Sequence, residues 1–261
     1  INLRLELAAW PFIRLASLGP QSYSRPVMRR PEKEYGSEYR LWRYFYSSKR
    51  RDLDAAILEA IGYPDCSLSW VYPDEANDPN QREFENLRFL TTSEFAQTAS
   101  EFKTVWPATG TGISWDGIAW AESDPRQLIL IEAKANQPEL CSAPSGASDA
   151  SLKMISSALG HVKSLLHVHH RFTWTNSYYQ YANRLFVLNF LQDRCKCHLV
   201  FLYFTGETFP DGTPCPSDSA EWRELIHACH LSLGLASPGE RDKLRAHELG
   251  KRVHDVFLPV F

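Results

Sequence analysis

Two oppositely charged side chains close a run of aliphatic residues near the middle of the chain. Residues 128–134 read LILIEAK, which places Glu132 and Lys134 at the end of a segment typical of a buried strand. Alternate residues of a strand share a face, so Glu132 and Lys134 would lie beside Leu128 and Leu130. A buried charge without a partner costs several kcal/mol, so an ordinary core strand does not carry such residues. Their position therefore predicts a functional site.

A second carboxylate belongs to the strand-like run that comes before. Asp116 lies in WDGIAW, and the turn sequence SDPR separates this run from LILIEAK, which predicts an antiparallel hairpin. The hairpin would bring Asp116 and Glu132 to the same end of a sheet. Their oxygens, with the carbonyl of Ala133, are hard ligands of the kind that Mg²⁺ or Mn²⁺ binds. Lys134 could then orient an attacking water or offset negative charge in a transition state.

The pattern around the hairpin predicts an α/β (α+β) fold. Helical periodicity runs over residues 37–61 and ends at the breaker of Gly62 and Pro64, and a second helix covers 92–105. After the hairpin, Ser148 or Asp149 is a suitable cap for a further helix. The remaining predicted elements are a helix over 178–192, a strand over 198–204, helices over 217–233 and 238–253, and a strand over 256–261.

Composition places the chain among globular proteins. It has 261 residues, of which 44% are hydrophobic and 23% charged. It contains no apolar run of about 18 residues, the length that a membrane span needs. The first twenty residues include Glu6 and lack the long apolar segment of a secretory signal, so a cytoplasmic location without a membrane partner is expected. Six scattered cysteines predict reduced thiols rather than a disulfide framework.

The motif D-(x15)-E-A-K resembles the signature of the PD-(D/E)XK nuclease superfamily, with Trp115 in place of the proline of that family. The resemblance implies a restriction-endonuclease-like αβββαβ core, in which helices flank a mixed central sheet. It covers residues 92–204 of a single domain over 1–261. Residues 1–91 would be an N-terminal helical and loop elaboration, and residues 205–261 a C-terminal helical extension.

The same resemblance implies roles for the motif residues. Asp116 and Glu132 would bind Mg²⁺ or Mn²⁺ together with the carbonyl of Ala133. Lys134 would be the catalytic lysine. The implied reaction is the hydrolysis of phosphodiester bonds, which is slow enough without a catalyst that metal activation of water is nearly obligatory.

Two further helices would complete the site by the same resemblance. Members of the superfamily often add a glutamate from the helix before the sheet, and Glu94 is preferred here to Glu101, which shares its helix face. Exonuclease-like members carry Gln and Tyr on a helix after the sheet. The segment YYQYANRL offers Gln180 and Arg184 for nucleic-acid contacts, although its tyrosines precede the glutamine. A solvated helix face explains either set equally well.

Positive charge is concentrated early in the chain. The formal net charge is −3, but residues 25–51 contain nine Arg or Lys against three Glu. The segment SEYRLWRYFYSSKRR interleaves these charges with aromatic residues, so Arg40 and Arg43 could hold a phosphate backbone. An amphipathic helix with Leu41 and Phe45 toward the core and the arginines toward water explains the same pattern. Both interpretations stay open.

The sequence thus favours a metal-dependent nuclease with DNA as the expected substrate. The alternative is a non-catalytic module of the same fold that binds nucleic acid or protein, which the overall acidity favours. A third interpretation is a structural protein in which E-A-K is an exposed strand end. The sequence leaves open whether the protein forms a homodimer.

Overall fold

The structure is a computed structural model that describes residues 31–73, 84–90, 95–108, 112–239 and 241–261. In these ranges five strands form one sheet: β1 Leu68–Tyr72, β2 Gly117–Ala121, β3 Gln127–Lys134, β4 Cys197–Thr205 and β5 Val253–Pro259. The α-helices of the same ranges are α1 Ser37–Phe45, α2 Arg50–Ile61, α3 Ala96–Val105, α4 Gln137–Cys141, α5 Asp149–Leu165, α6 Tyr179–Leu191, α7 Ser219–Leu233 and α8 Lys243–Ala246. A 3₁₀ turn, Glu248–Arg252, leads into β5.

The sheet is mixed, and its spatial order follows the chain order from β1 to β5. Strands β1, β2 and β3 pair antiparallel, whereas β3, β4 and β5 pair parallel. Each parallel pairing needs a crossover, which α4 to α6 supply between β3 and β4 and α7 and α8 supply between β4 and β5. The predicted α/β class is confirmed. Strands β1 and β5 lie outside the range 92–204 in which the nuclease-like core was predicted.

The predicted hairpin is confirmed. Strands β2 and β3 pair from Gly117 opposite Ile131 to Ala121 opposite Gln127. Asp116 therefore comes immediately before the ladder, at the end where β3 carries its charged residues. Ser148 caps α5 by accepting a hydrogen bond from the Ser151 amide, as predicted.

Strand β3 is buried along its whole length and separates two apolar cores. Ile129, Ile131 and Ala133 pack with residues of α1 and α2 in one core. Leu128 and Leu130 pack with residues of α5 and α6 in the other. The predicted alternation of 128–134 is thus confirmed. The charged end of β3 continues the second face, toward α6.

Two predicted helices differ from the observed ones. The helix expected over 37–61 is two helices, because residues 46–49 form a turn between α1 and α2. The helix expected over 238–253 is reduced, among the described residues, to α8 and the 3₁₀ turn. His247 between them has an extended backbone, and Gly250 packs so closely that a Cβ would lie 1.8 Å from the Leu244 carbonyl oxygen. Only glycine allows this approach, so the segment reverses tightly.

The structure also bears on the predictions of reduced cysteines and of no membrane-spanning segment. All six cysteines are free thiols, as expected. None of the helices in the described ranges combines the length and the apolar character needed to cross a bilayer.

Candidate active site

The charged end of β3 forms a buried ion-pair cluster. Glu132 is 2% exposed and Lys134 is 6% exposed. The Lys134 ammonium donates to Glu132 Oε1 at 2.5 Å and to Gln180 Oε1 at 2.9 Å. Gln180 reaches this lysine from the first turn of α6. The strand and the helix together hold Lys134 between a carboxylate and an amide oxygen.

Arg184 brings a second cation to the same carboxylate. It lies one helical turn after Gln180, and its Nε donates to Glu132 Oε2 at 2.8 Å. The same guanidinium donates to the Asn183 side chain at 2.8 Å and to the Ser114 carbonyl at 2.5 Å. Its planar group also lies over the Trp115 ring, 4.7 Å from the ring centroid. Arg184 therefore ties α6 to β3 and to the segment just before β2.

The cluster keeps Glu132 ionised. Complete burial opposes ionisation of this carboxyl, but the positive charges of Arg184 and Lys134, together with their hydrogen bonds, outweigh burial and lower its pKa. Both carboxylate oxygens accept hydrogen bonds from cationic groups. The negative charge of Glu132 is thus compensated by the protein itself.

Asp116 joins the cluster at the backbone of β3. Its Oδ2 accepts a hydrogen bond from the Ala133 amide at 2.7 Å. Ala133 stands between Glu132 and Lys134, so the Asp116 carboxylate lies beside the motif. Trp115 is fully buried and donates its indole N–H to the Asn86 carbonyl at 3.0 Å, which fixes the chain just before Asp116.

Helix α6 is fixed on its other side by a buried polar chain. The Tyr181 hydroxyl lies 2.7 Å from His230 Nε2, and His230 Nδ1 lies 2.5 Å from Asp242 Oδ2. The pKa of Asp242 is lowered, because its contacts with His230 outweigh its burial, so Asp242 is an anion that accepts a hydrogen bond from His230 Nδ1–H. Tyr181 makes its hydrogen bond with the other ring nitrogen, Nε2. The rotation of α6 about its axis is set by contacts on two sides.

The donor set agrees in type with a small divalent cation. The described residues hold no group of three or more His, Cys, Asp or Glu side chains suited to a metal. Mg²⁺ does not need such a cage, because it is usually bound through one or two carboxylates with waters and substrate phosphates. Asp116 and Glu132, with the Ala133 carbonyl, are donors of this kind. A cation bound through Glu132 would have to replace one of its present contacts.

A cavity of about 650 Å³ opens beside the cluster. Gln180 and Arg184 line it and at the same time contact Lys134 and Glu132, which are not among the lining residues. The loop 142–148 and the first turn of α5 form another part of the wall. A ligand in this cavity would therefore reach the buried motif through the two α6 side chains.

Other predicted residues lie apart from the cluster. Arg40 pairs with Glu207 through Nε at 2.5 Å and Nη2 at 2.6 Å. The Arg43 guanidinium lies 4.4 Å from the Phe261 ring centroid. Both arginines belong to α1, which packs on the opposite face of the sheet from α6. The structure does not bring them together with Gln180 and Arg184.

Of the two glutamates predicted on the helix before the sheet, Glu94 and Glu101, the structure describes only Glu101. Glu94 lies outside the residues that the structure describes. Glu101, its alternative, accepts from Arg194 Nη2 at 2.8 Å at the surface and so joins α3 to the end of α6. This contact is far along α6 from Gln180, at the other end of the helix.

Sequence reasoning missed part of the cluster. The Ser114 carbonyl and the direct contact between Arg184 and Glu132 were not predicted, since Gln180 and Arg184 were assigned to nucleic acid. The i, i+4 spacing of Gln180 and Arg184 on α6 was the available signal. Residues four apart on a helix are about as far from each other as residues two apart on a strand, so Gln180 and Arg184 can contact Lys134 and Glu132 at the same time.

Comparison with protein-family models, curated proteins and solved structures finds no significant match to the chain. Any function must therefore rest on the geometry described above.

Proposed function

We propose that the protein is a metal-dependent nuclease that hydrolyses phosphodiester bonds of nucleic acid, with Asp116, Glu132 and Lys134 at its centre. The observation that carries the proposal is the buried cluster of Glu132, Lys134 and Arg184 next to a cavity. A buried ion pair is often neutral or unfavourable for stability compared with apolar residues of similar volume. A strand whose residues 128–131 are all aliphatic does not need these charges in order to fold.

The residues have separate roles in the proposed reaction. Asp116, Glu132 and the Ala133 carbonyl would hold Mg²⁺ or Mn²⁺. The bound cation would polarise a phosphoryl oxygen of the substrate and activate a water. The Lys134 ammonium, oriented by Gln180, would stabilise the negative charge that develops on the phosphoryl oxygens. Arg184 would leave one oxygen of Glu132 when the cation binds. Its guanidinium would then be available to a phosphate oxygen.

A second candidate function is favoured by one specific observation. Lys134 and Arg184 already compensate the charge of Glu132, so the cluster is stable without an added cation. In a non-catalytic module that binds nucleic acid or protein, the same residues would only position α6 against the hairpin. Metal binding distinguishes the two candidates directly.

The experiment compares cleavage and metal binding in matched variants. Wild-type protein is incubated with single-stranded and duplex DNA and RNA in the presence of Mg²⁺, Mn²⁺ or a chelator, and Mn²⁺ binding is measured by calorimetry. Lys134→Met should still bind Mn²⁺ but lose roughly 10²- to 10³-fold in turnover, the usual effect of removing one preorganised electrostatic group. Asp116→Asn can still accept from the Ala133 amide, so it should keep the fold while metal affinity and cleavage fall together.

The matched control is Lys251→Met. Lys251 makes an ion pair with Glu248 at 2.5 Å, but both side chains are exposed, so the same substitution should leave cleavage unchanged. If wild-type protein neither binds Mn²⁺ nor cleaves any of the substrates, the catalytic proposal fails and the non-catalytic module becomes the better account.

A further inference from the structure

The cavity beside the cluster has a chemistry that the motif alone does not predict. Its volume of about 650 Å³ lies within the roughly 300–1,000 Å³ of typical small-ligand sites. Part of its wall is apolar, formed by Trp106, Pro107, Ile113 and Ile155. A ligand that fills the cavity therefore needs a part with apolar surface, and an aromatic ring meets that need through stacking or edge contacts.

The rest of the wall offers neutral hydrogen-bonding groups. Gln180 and Asn183 line it from α6, and serines line it from the loop 142–148. Tyr179 adds a half-buried aromatic ring at the start of α6. Side chains of this kind can meet the edges of a base and the hydroxyls of a sugar, because each offers a donor, an acceptor or both.

The cavity carries little positive charge. Among the described residues that line it, Arg184 alone is charged. Its Nε, Nη1 and Nη2 atoms already donate to Glu132, Asn183 and Ser114, so it can meet at most one phosphate. A duplex that binds along its backbones requires several cations in a row. The arginines of α1 cannot extend the row, because α1 packs on the other face of the sheet.

We propose that this cavity receives one nucleotide of a single-stranded nucleic acid at a time. The base would pack against Trp106 and Tyr179, and the adjoining phosphate would face Gln180 and Arg184. This inference rests on the proposed nuclease function and narrows its substrate to single strands or frayed ends. Stacking between a base and an aromatic side chain tolerates any base, so little sequence preference is expected.

Gly146 offers a way to fill the cavity without disturbing the fold. It lines the cavity, and a Cβ added there would meet no atom within 4 Å. Gly146→Trp should therefore introduce bulk at the mouth of the cavity at little cost in stability. Gly160 is the matched control, because an added Cβ there also meets nothing within 4 Å and the residue is not part of the wall.

Binding is measured with the full chain in a chelating buffer, so that no cleavage occurs. The probes are fluorescent oligo(dT), oligo(rU) and a blunt DNA duplex of the same length. Both single strands should bind more tightly than the duplex. Gly146→Trp should weaken single-strand binding by roughly tenfold, the loss of about one stacked base, and Gly160→Trp should not. The salt dependence should be shallow, with a slope of about −0.7 for a single phosphate contact.

The outcomes separate this inference from the function on which it rests. Metal-dependent cleavage of duplex DNA with equal or tighter duplex binding would overturn the single-strand inference and leave the nuclease proposal standing. Single-strand binding that Gly146→Trp weakens, without metal-dependent cleavage by the wild type, would support the cavity and overturn the nuclease. Single-strand binding that is unchanged in Gly146→Trp would overturn the assignment of the cavity.

Discussion

In the part of the chain that the structure describes, two buried ion-pair clusters lie near the carboxyl ends of β3 and β4, and they differ in the number of their charged groups and in their surroundings. After β4, Glu207 accepts from Arg40 in a two-point contact and from the amides of Gly36 and Thr208. One anion meets one cation, and neither residue lines the cavity beside β3. At the end of β3, Glu132 meets two cations, Lys134 and Arg184, at the wall of a cavity.

The difference separates a structural contact from a candidate site. In the Arg40–Glu207 pair the two charges balance each other, and the pair joins α1 to the segment after β4. This structural role is sufficient to explain the pair. The β3 cluster has two cations, Lys134 and Arg184, and two carboxylates, Glu132 and Asp116, since Asp116 stands at the Ala133 amide beside it. Arg184 also lines the cavity, so a ligand there could contact this cluster, and for this reason our proposal rests on the second cluster and not on the first.

The largest expected effect on stability is that of Glu132→Gln. This change leaves two buried cations without their shared anion, and breaking a buried ion pair in this way costs about 3–5 kcal/mol. Glu207→Gln is the matched variant in the other cluster, where Arg40 is 13% exposed at its side chain and can turn toward water. It should cost roughly 1–3 kcal/mol. Urea unfolding of both variants measures the difference, and equal losses would contradict the contrast between the clusters.

The second prediction concerns acid stability. Burial, with the charges of His254 and Arg252, lowers the pKa of His198 to about 4. Burial and the charge of Arg245 lower the pKa of His254 to about 4, against 6.5 for a free histidine. Between pH 6.5 and 4 the unfolded chain thus binds more protons than the folded one, so stability must fall as the pH falls through this range. His198 Nδ1 on β4 lies 2.9 Å from His254 Nε2 on β5, with Arg252 also nearby.

The carboxylates act in a lower range of pH. The pKa values of Glu132 and Glu207 are both lowered from 4.5, so their contribution to the free energy of unfolding is complete above that value and is lost as the pH falls below it.

The histidine contribution is tested with His198→Asn, which keeps a hydrogen-bonding group near the position of Nδ1. This variant should reduce the slope of stability against pH between pH 6.5 and 4. His161→Asn, at an exposed residue of α5, should leave the slope unchanged. Thermal melts across this range would reveal a histidine contribution, and identical curves for both variants would exclude it.

The smallest expected effect on nucleic-acid affinity is that of a charge reversal on α1. Arg43→Glu should change the affinity for oligo(dT) by less than about twofold, because Arg43 lies over the Phe261 ring and on the face of the sheet away from the cavity. Arg184→Met is the contrasting variant, since it removes the guanidinium that lines the cavity. A loss of affinity and a flatter salt dependence in Arg43→Glu would instead assign α1 to the nucleic-acid interface.

The sequence predicted the features that depend on neighbouring residues. The hairpin, the alternation of β3 and the cap at Ser148 follow from turn chemistry, a period of two and a local hydrogen bond. The partners of Arg40 and Arg184 could not be predicted in the same way. Glu207 is 167 residues from Arg40, and Glu132 is 52 residues from Arg184, so their contacts depend on how crossovers pack against the sheet. The residue types predicted a candidate site, but not which charged side chains pair with each other.

The contact of Tyr181 with His230 also has a consequence for the biosynthesis of the protein. The two residues are 49 positions apart, and Asp242 follows another 12 positions later. While the chain is being made, the helix that carries Gln180 and Arg184 is complete well before the residues that fix its rotation have left the ribosome. The nascent protein therefore holds an incomplete cluster until residues 230–242 have been made. The cluster at the end of β3 takes its final arrangement only when these residues pack against α6.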